Sequence, residues 1–257
     1  MNIVDRIVNF GNGEFLSRLI EYVIFKPETK EKLKVAVNLW CESPEEAEKK
    51  YGHISIWNVS LITDMSRLFE GKEDFQEDIS KWNVSNVTDM SYMFCETYFN
   101  GNLEDWDVSS VTNMSNMFCG AHEFNQPLEG WDVSNVTNMS SMFYETDEFN
   151  QPLNRWDISN VTDMSGMFTY NEVFNRSLKS WDLSTVKIEE MFSYSTDVTT
   201  IINFWKNISR PEYNLFRVGE TETPSESVEK WVNEEYNKIV SQLVPNKKRK
   251  ISHEISH

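Results

Sequence analysis

The chain has 257 residues, with 41 acidic side chains against 24 basic and a formal charge of -17. Such a balance disfavours nucleic acid, whose phosphates are neutralised by Lys and Arg. Nine Trp, 16 Phe and 11 Met exclude an acidic disordered chain, which is poor in large apolar groups, and no apolar run approaches the roughly 20 residues that span a bilayer.

Met1 to Arg6 lacks the basic start and apolar core of a secretory signal, because Asp5 and Arg6 interrupt it. Residues 1–56 are expected to form a helical N-terminal capping region. Ile3, Val4, Ile7 and Val8 make one apolar stripe; Phe15, Leu16, Leu19, Ile20 and Val23 make a second, ended before Pro27; a third runs from about Glu28 to Cys41. Ser43-Pro44-Glu45-Glu46 reads as a capping box with proline at the first helical position, and Gly52 closes that short helix.

A repeat follows. Trp57, Trp82, Trp106, Trp131, Trp156 and Trp181 are spaced by 25, 24, 25, 25 and 25 residues, a period that marks a stacked-coil architecture. One unit reads Trp131-Asp-Val-Ser-Asn-Val-Thr-Asn-Met-Ser-Ser-Met-Phe143, then a variable stretch, then Phe149-Asn-Gln-Pro-Leu153. The alternating Leu-x-x-Trp-Asp-Val-Ser predicts a short strand stacked in parallel with its copies. Val-Thr-x-Met-Ser-x-Met-Phe predicts a helical turn on the opposite side. Gln76, Asn100, Asn125, Asn150 and Asn175 occupy a column suited to satisfying backbone groups where the coil turns. The Trp, Met and Phe columns are expected to be core. The expected fold class is an α/β repeat: a right-handed leucine-rich-repeat-like solenoid with short parallel strands and helical N- and C-terminal caps. The six repeats span 57–203, an irregular segment and capping helix 204–244, and a basic tail 245–257.

These tandem copies resemble the BspA-like leucine-rich-repeat family, defined by WDVSNVTDMSxMF followed by FNxxL. The resemblance covers residues 57 to about 203, and the lead-in from Lys34 to Trp57 is similar to the segment that commonly precedes such repeats. It implies a solenoid and a role in macromolecular contact. The family is best known for adhesion at bacterial surfaces, with similar repeats inside unicellular eukaryotes and in large DNA viruses. Without a secretion signal, anchor or wall spacer here, the expectation is an intracellular, cytoplasmic or nuclear protein.

The charge is localised. Residues 57–205 hold 24 acidic and 7 basic side chains, while each flank is balanced to within one charge. The position after each Trp reads Asn58, Asn83, Asp107, Asp132, Asp157 and Asp182. If Trp points inward, these four aspartates form an acidic ladder facing outward. Two charges about 5 Å apart in water repel by roughly 0.8 kcal/mol, which a basic protein segment would relieve. The ladder is the candidate interaction site, and the alternative is a solvated column whose Asp side chains accept backbone hydrogen bonds at a turn. Asp64, Asp89 and Asp163 form a further acidic column.

Other chemistry is sparse. Cys95 and Cys119 fall in one column of neighbouring coils and are expected to be adjacent and reduced. Four His and three Cys give no metal-ligand spacing, and no phosphate-binding loop or catalytic triad pattern occurs. No catalytic residue, metal, cofactor or small-molecule substrate is expected. The tail Lys247-Lys248-Arg249-Lys250 resembles a nuclear-import signal. The leading expectation is a non-enzymatic protein-interaction module with an acidic face. Alternatives are a scaffold in a larger assembly such as a virus particle, a surface adhesion protein, and lattice binding through Thr63, Thr88, Thr112, Thr137 and Thr162.

Overall fold

A computed structural model describes residues 24–195. The expected helices at 3–8 and 15–23, the helix expected from Thr223 and the tail lie outside the described residues.

Helix α1 (Lys30–Glu42) begins at Thr29, whose side chain accepts the Lys32 amide at 3.3 Å. Leu33, Ala36, Val37 and Trp40 repeat at helical spacing and are all buried. Helix α2 (Pro44–Tyr51) has proline in its first turn and ends on Gly52, whose φ of 75° suits glycine. The capping box expected at Ser43 does not form. Ser43 is also the C-cap of α1, where its N–H is committed to Leu39 O at 2.7 Å, and its side chain makes no cap hydrogen bond. Glu45 and Glu46 instead meet the positive end of the helix dipole.

This segment packs on the first repeat. The Trp40 and Trp57 rings meet edge-on at 6.0 Å, Phe25 meets Trp57 at 5.2 Å, and Asn58 N–H donates to Phe25 O at 3.0 Å. Lys30 Nζ reaches Asp64 at 2.7 Å and also bonds Ser66 Oγ.

The repeats then stack in register. Parallel bridges link Asp64, Asp89, Asn113, Asn138, Asp163 and Lys187 in succession. The predicted strand around each Trp is not found. There the backbone turns: Trp131 N–H bonds Leu128 O at 3.1 Å, and Asp132 Oδ1 takes the Ser134 amide. Amides spent in local turns are unavailable for a ladder.

The backbone contacts between coils lie instead in the stretch expected to be helical. Within Met114–Ala121 two tight turns follow one another, closed by Met117 N–H to Met114 O and Ala121 N–H to Phe118 O at 3.2 and 3.0 Å. The third residue of each, Asn116 and Gly120, has φ of 57° and 66°. An i→i+3 bond with positive φ only at the third residue defines a type II turn. The central N–H of such a turn stands off the turn plane, along the stack. Asn116 N–H accordingly bonds Ser140 O at 2.9 Å and Gly120 N–H bonds Tyr144 O at 2.8 Å, while Met114 and Phe118 amides reach Asn138 and Met142. Every second amide thus faces the next coil, as in a parallel sheet, although the chain is folded into turns that bring Met114, Met117 and Phe118 all inward.

The left-handed positions recur in two columns, at Arg67, Tyr92, Asn116, Ser141, Gly166 and Glu190, and at Gly71, Glu96, Gly120, Glu145, Tyr170 and Tyr194. Nine of these are not glycine, each at roughly 1–2 kcal/mol against an ordinary backbone, a cost offset by the inter-coil bonds that only this shape permits.

Side-chain columns complete the stack. Phe69, Phe94, Phe118, Phe143, Phe168 and Phe192 lie face to face with successive centroids 5.4–5.8 Å apart, a favourable offset range for ring pairs. The Trp column is buried at 3–7% exposure, and the Nε1–H groups of Trp82, Trp106, Trp131, Trp156 and Trp181 donate to carbonyls of the preceding coil at Ile54, Ile79, Leu103, Leu128 and Leu153. The asparagine column behaves as its composition suggests. Asn100, Asn125 and Asn150 each present Oδ1 to the amide of the asparagine one coil later, at 3.1–3.2 Å.

Candidate interaction surfaces

Asp107, Asp132 and Asp157 are exposed, as is Asp182. In every copy Oδ1 accepts the amide of the serine two residues on, at Ser109, Ser134, Ser159 and Ser184, over 2.9–3.1 Å. Asn58 and Asn83 make the same bond to Ser60 and Ser85. The column is therefore first a turn-forming device, indifferent to charge in two of its six members. The serine hydrogen bonds hold the carboxyls of Asp132 and Asp157 below the ordinary aspartate value. Oδ2 of Asp107, Asp132 and Asp157 takes part in no hydrogen bond among the described residues, so each can receive an external donor.

The second acidic column is engaged internally, at two positions by a lysine and at one by an amide. Lys30 closes it at Asp64, Asn113 Nδ2 bonds Asp89 Oδ2 at 3.3 Å, and Lys187 approaches Asp163 at 3.7 Å. Although burial opposes it, bonding to Lys30 and Ser66 leaves the Asp64 carboxyl lowered. The threonine column is also occupied: the hydroxyls of Thr88, Thr112, Thr137 and Thr162 donate to the threonine carbonyl one coil earlier at 2.9–3.1 Å. A lattice-binding row would need those donors free.

The variable stretches all fall on one corner, just after each Met-Phe pair or, in the first coil, after Leu68-Phe69. Here lie Glu70, Lys72, Glu73, Asp74, Glu96, Glu123, Glu145, Asp147 and Glu148, and the exposed rings of Tyr98, Tyr170 and Tyr194. Tyr170 and Tyr194 stack at 4.6 Å, and the Arg67 guanidinium lies 3.8 Å over the Tyr92 ring. Cys95 and Cys119 share this corner as free thiols, Cys95 buried and Cys119 half-buried. A hydrogen bond between them raises the Cys95 thiol, with burial adding to the effect, and lowers Cys119.

At the N-terminal end of the corner, where α1 and α2 meet the first coil, lies a cleft of about 560 Å³. Trp40, Pro44 and Phe75 supply its apolar surface, and Glu42, Glu73, Asp74 and Glu77 outnumber Lys72 in its charge. Trp40 is 3% exposed, and its Nε1 is a buried donor with no acceptor among the described residues. Such a group costs roughly 1–3 kcal/mol, and the other tryptophans of the stack avoid that cost through their carbonyl partners. The sequence offered one faint signal for this cleft: Trp40 stands 17 residues before Trp57, out of phase with the repeat.

No helix among the described residues is long and apolar enough to cross a membrane. No group of three His, Cys, Asp or Glu among them is placed to hold a metal ion. The candidate import residues Lys247, Lys248, Arg249 and Lys250 lie outside the described residues.

Comparison with known proteins finds no match among curated proteins and no match among solved structures. The chain does match a repeat family over residues 42–136, 97–205 and 126–231. These overlapping matches cover well over half of its length, and their overlap reflects the internal period itself. The chain belongs to the family described as Mycoplasma protein of unknown function, DUF285.

Proposed function

We propose that the chain is a non-enzymatic protein-interaction module, a right-handed leucine-rich-repeat-like solenoid related to the BspA-like repeats, which recruits a basic protein segment. In this reading it acts inside the cell, in cytoplasm or nucleus. The observation that carries the reading is the exposed carboxylate column. Asp107, Asp132 and Asp157 are each pinned through one oxygen by a serine amide, which fixes their spacing and leaves the second oxygen for a partner. An acceptor array of fixed pitch loses little entropy on binding, and like charges held in a row are relieved by a cation. The stack buries its Trp, Phe and Met columns as core, so recognition falls to the outward-facing columns.

Simultaneous reversal at Asp107, Asp132, Asp157 and Asp182 to Lys tests this. Partners captured by the wild-type chain at low and moderate salt should be lost from the reversed chain, with unchanged circular dichroism as the folding control. An unchanged set of partners removes the acidic column from the account.

A further inference from the structure

We propose that Cys95 and Cys119 form a peroxide-sensitive dithiol: a small neutral hydroperoxide oxidises Cys119, and Cys95 then closes a disulfide that staples the coil beginning at Trp82 to the coil beginning at Trp106. The inference is independent of the acidic column and its partner.

The backbone sets the two cysteines side by side. Each follows a Met-Phe pair, and the residues around Cys95 are tied to the next coil on both sides of it: Phe94 N–H donates to Met117 O at 2.9 Å and Glu96 N–H to Cys119 O at 2.7 Å. The preceding rings, Phe94 and Phe118, stack with centroids 5.7 Å apart and planes 4° from parallel, so the coils are in register at this point. In-register chains linked in this way lie about 4.8 Å apart, within the roughly 4.4–6.8 Å that Cα atoms span across a disulfide. The two thiols are already in hydrogen-bond contact. Their column does not call for cysteine, since it reads Glu70, Cys95, Cys119, Tyr144, Thr169 and Ser193. No third thiol joins the pair: Cys41 lies in the first helix and has no cysteine beside it.

Exposure and acidity assign the same roles. Cys95 is 5% exposed, whereas Cys119 is half-buried and reaches the surface. Their hydrogen bond lowers the Cys119 thiol and raises Cys95, with burial adding to the rise, so Cys119 is the better nucleophile. Glu96 and Glu145 stand by Cys119, and Glu70 and Glu96 by Cys95. These carboxylates repel a large anionic disulfide such as oxidised glutathione and admit a small neutral peroxide. In the first step the Cys119 sulfur attacks one peroxide oxygen, the O–O bond breaks, and the other oxygen leaves with the thiol proton as water or an alcohol, giving a sulfenic acid. In the second, the Cys95 sulfur attacks the Cys119 sulfur, the S–O bond breaks, and hydroxide leaves with the Cys95 proton as water. The two sulfurs together give up two electrons, which reduce the peroxide.

The test treats the reduced full-length protein with equimolar hydrogen peroxide, counts thiols after unfolding and maps peptides without reductant. Two of the three thiols should be lost, and the Cys95 and Cys119 peptides should be joined within one chain and released by dithiothreitol. Cys41, whose thiol is pushed up by burial, should stay free. Oxidised glutathione at the same concentration should react more slowly. In Cys95→Ser, Cys119 should stop at a sulfenic acid that dimedone traps, and Cys119→Ser should abolish the cross-link and the fast reaction with peroxide. The thiol count on the unsubstituted protein keeps the test decisive should either variant perturb folding. The disulfide restricts the unfolded chain between 95 and 119, so the urea midpoint of the oxidised protein should rise above that of the reduced one. Three thiols surviving peroxide, a cross-link to Cys41 or between chains, or a dimedone adduct on Cys95 in place of Cys119 would overturn the proposal. A lower midpoint in the cross-linked protein would overturn the staple.

Discussion

Replacing Trp131 by Phe isolates what the tryptophan column contributes to the stack. Trp131 is 3% exposed and donates Nε1–H to Leu103 O of the preceding coil at 2.9 Å. Phenylalanine removes that bond, worth about 1 kcal/mol. Leu103 O keeps the Trp106 amide at 3.1 Å, so no carbonyl is left unmet and the penalty for an orphan group does not apply. Loss of roughly 40 Å² of buried apolar surface adds about 1 kcal/mol. Incomplete collapse around the smaller ring adds up to about 1 kcal/mol more. The expected loss is about 2–3 kcal/mol, against about 3–5 kcal/mol for Trp131→Ala. Urea unfolding followed by far-ultraviolet circular dichroism measures both, with the slope checked for two-state behaviour because repeat stacks can unfold piecemeal. A loss below about 0.5 kcal/mol for Trp131→Phe would refute the argument that the indole ties adjacent coils together.

Three further outcomes follow from the same geometry. Gly101 has no room for a side chain, since an added Cβ would lie 2.4 Å from the buried Phe99 ring; Gly101→Ala should cost about 1–3 kcal/mol by overpacking, read as a lower unfolding midpoint. The depressed carboxyls of Asp132 and Asp157 bind protons less readily folded than unfolded, so their contribution is present above the unfolded aspartate value near about 4 and lost as pH falls through the lower folded values. The thermal midpoint should fall on acidification below about pH 4, and less steeply in Asp132→Asn with Asp157→Asn, since Asn58 and Asn83 show that asparagine keeps the turn; an equally steep fall would contradict this. Of the two neighbouring thiols, Cys119 is the more exposed and the more acidic, so limited iodoacetamide should alkylate it before Cys95, as peptide mass spectrometry would show. Preferential modification of Cys95 would contradict that order of exposure and acidity.

The period, the buried Trp, Met and Phe columns and the asparagine column were legible because each depends on residue type at fixed spacing. The position of the inter-coil ladder was not. Alternation at Leu-x-x-Trp-Asp-Val-Ser looks like a strand, yet Asp132 and Leu128 take its amides into local turns. Conversely, Met114-Ser-Asn-Met-Phe118 carries helix-like spacing, and nothing in its composition announces left-handed residues, because Asn116 shares its column with Arg67, Tyr92 and Ser141. Inter-coil hydrogen bonding imposes the backbone there, and local propensity yields to it. The acidic column was visible as Asp107, Asp132, Asp157 and Asp182, and turn hydrogen bonding was one of the two readings its sequence left open; the coordinates add the serine amides as the partners. The Trp40 cleft was hidden for a different reason: it joins residues 40–44 to 71–77 across the cap and first coil, a juxtaposition no local pattern encodes.

Amide hydrogen exchange at Tyr92, Asn116 and Ser141 tests the stacked-turn architecture most directly. These are the half-buried, left-handed third residues of the first turn in their coils, and their N–H groups donate to Ser115, Ser140 and Ser165 carbonyls at 3.0, 2.9 and 2.8 Å. The account predicts that they exchange as slowly as the buried Met90, Met114 and Met139 amides of the same ladder, through opening of the stack. Exchange at the rate of ordinary solvent-facing turn amides, with the Met amides still protected, would contradict it.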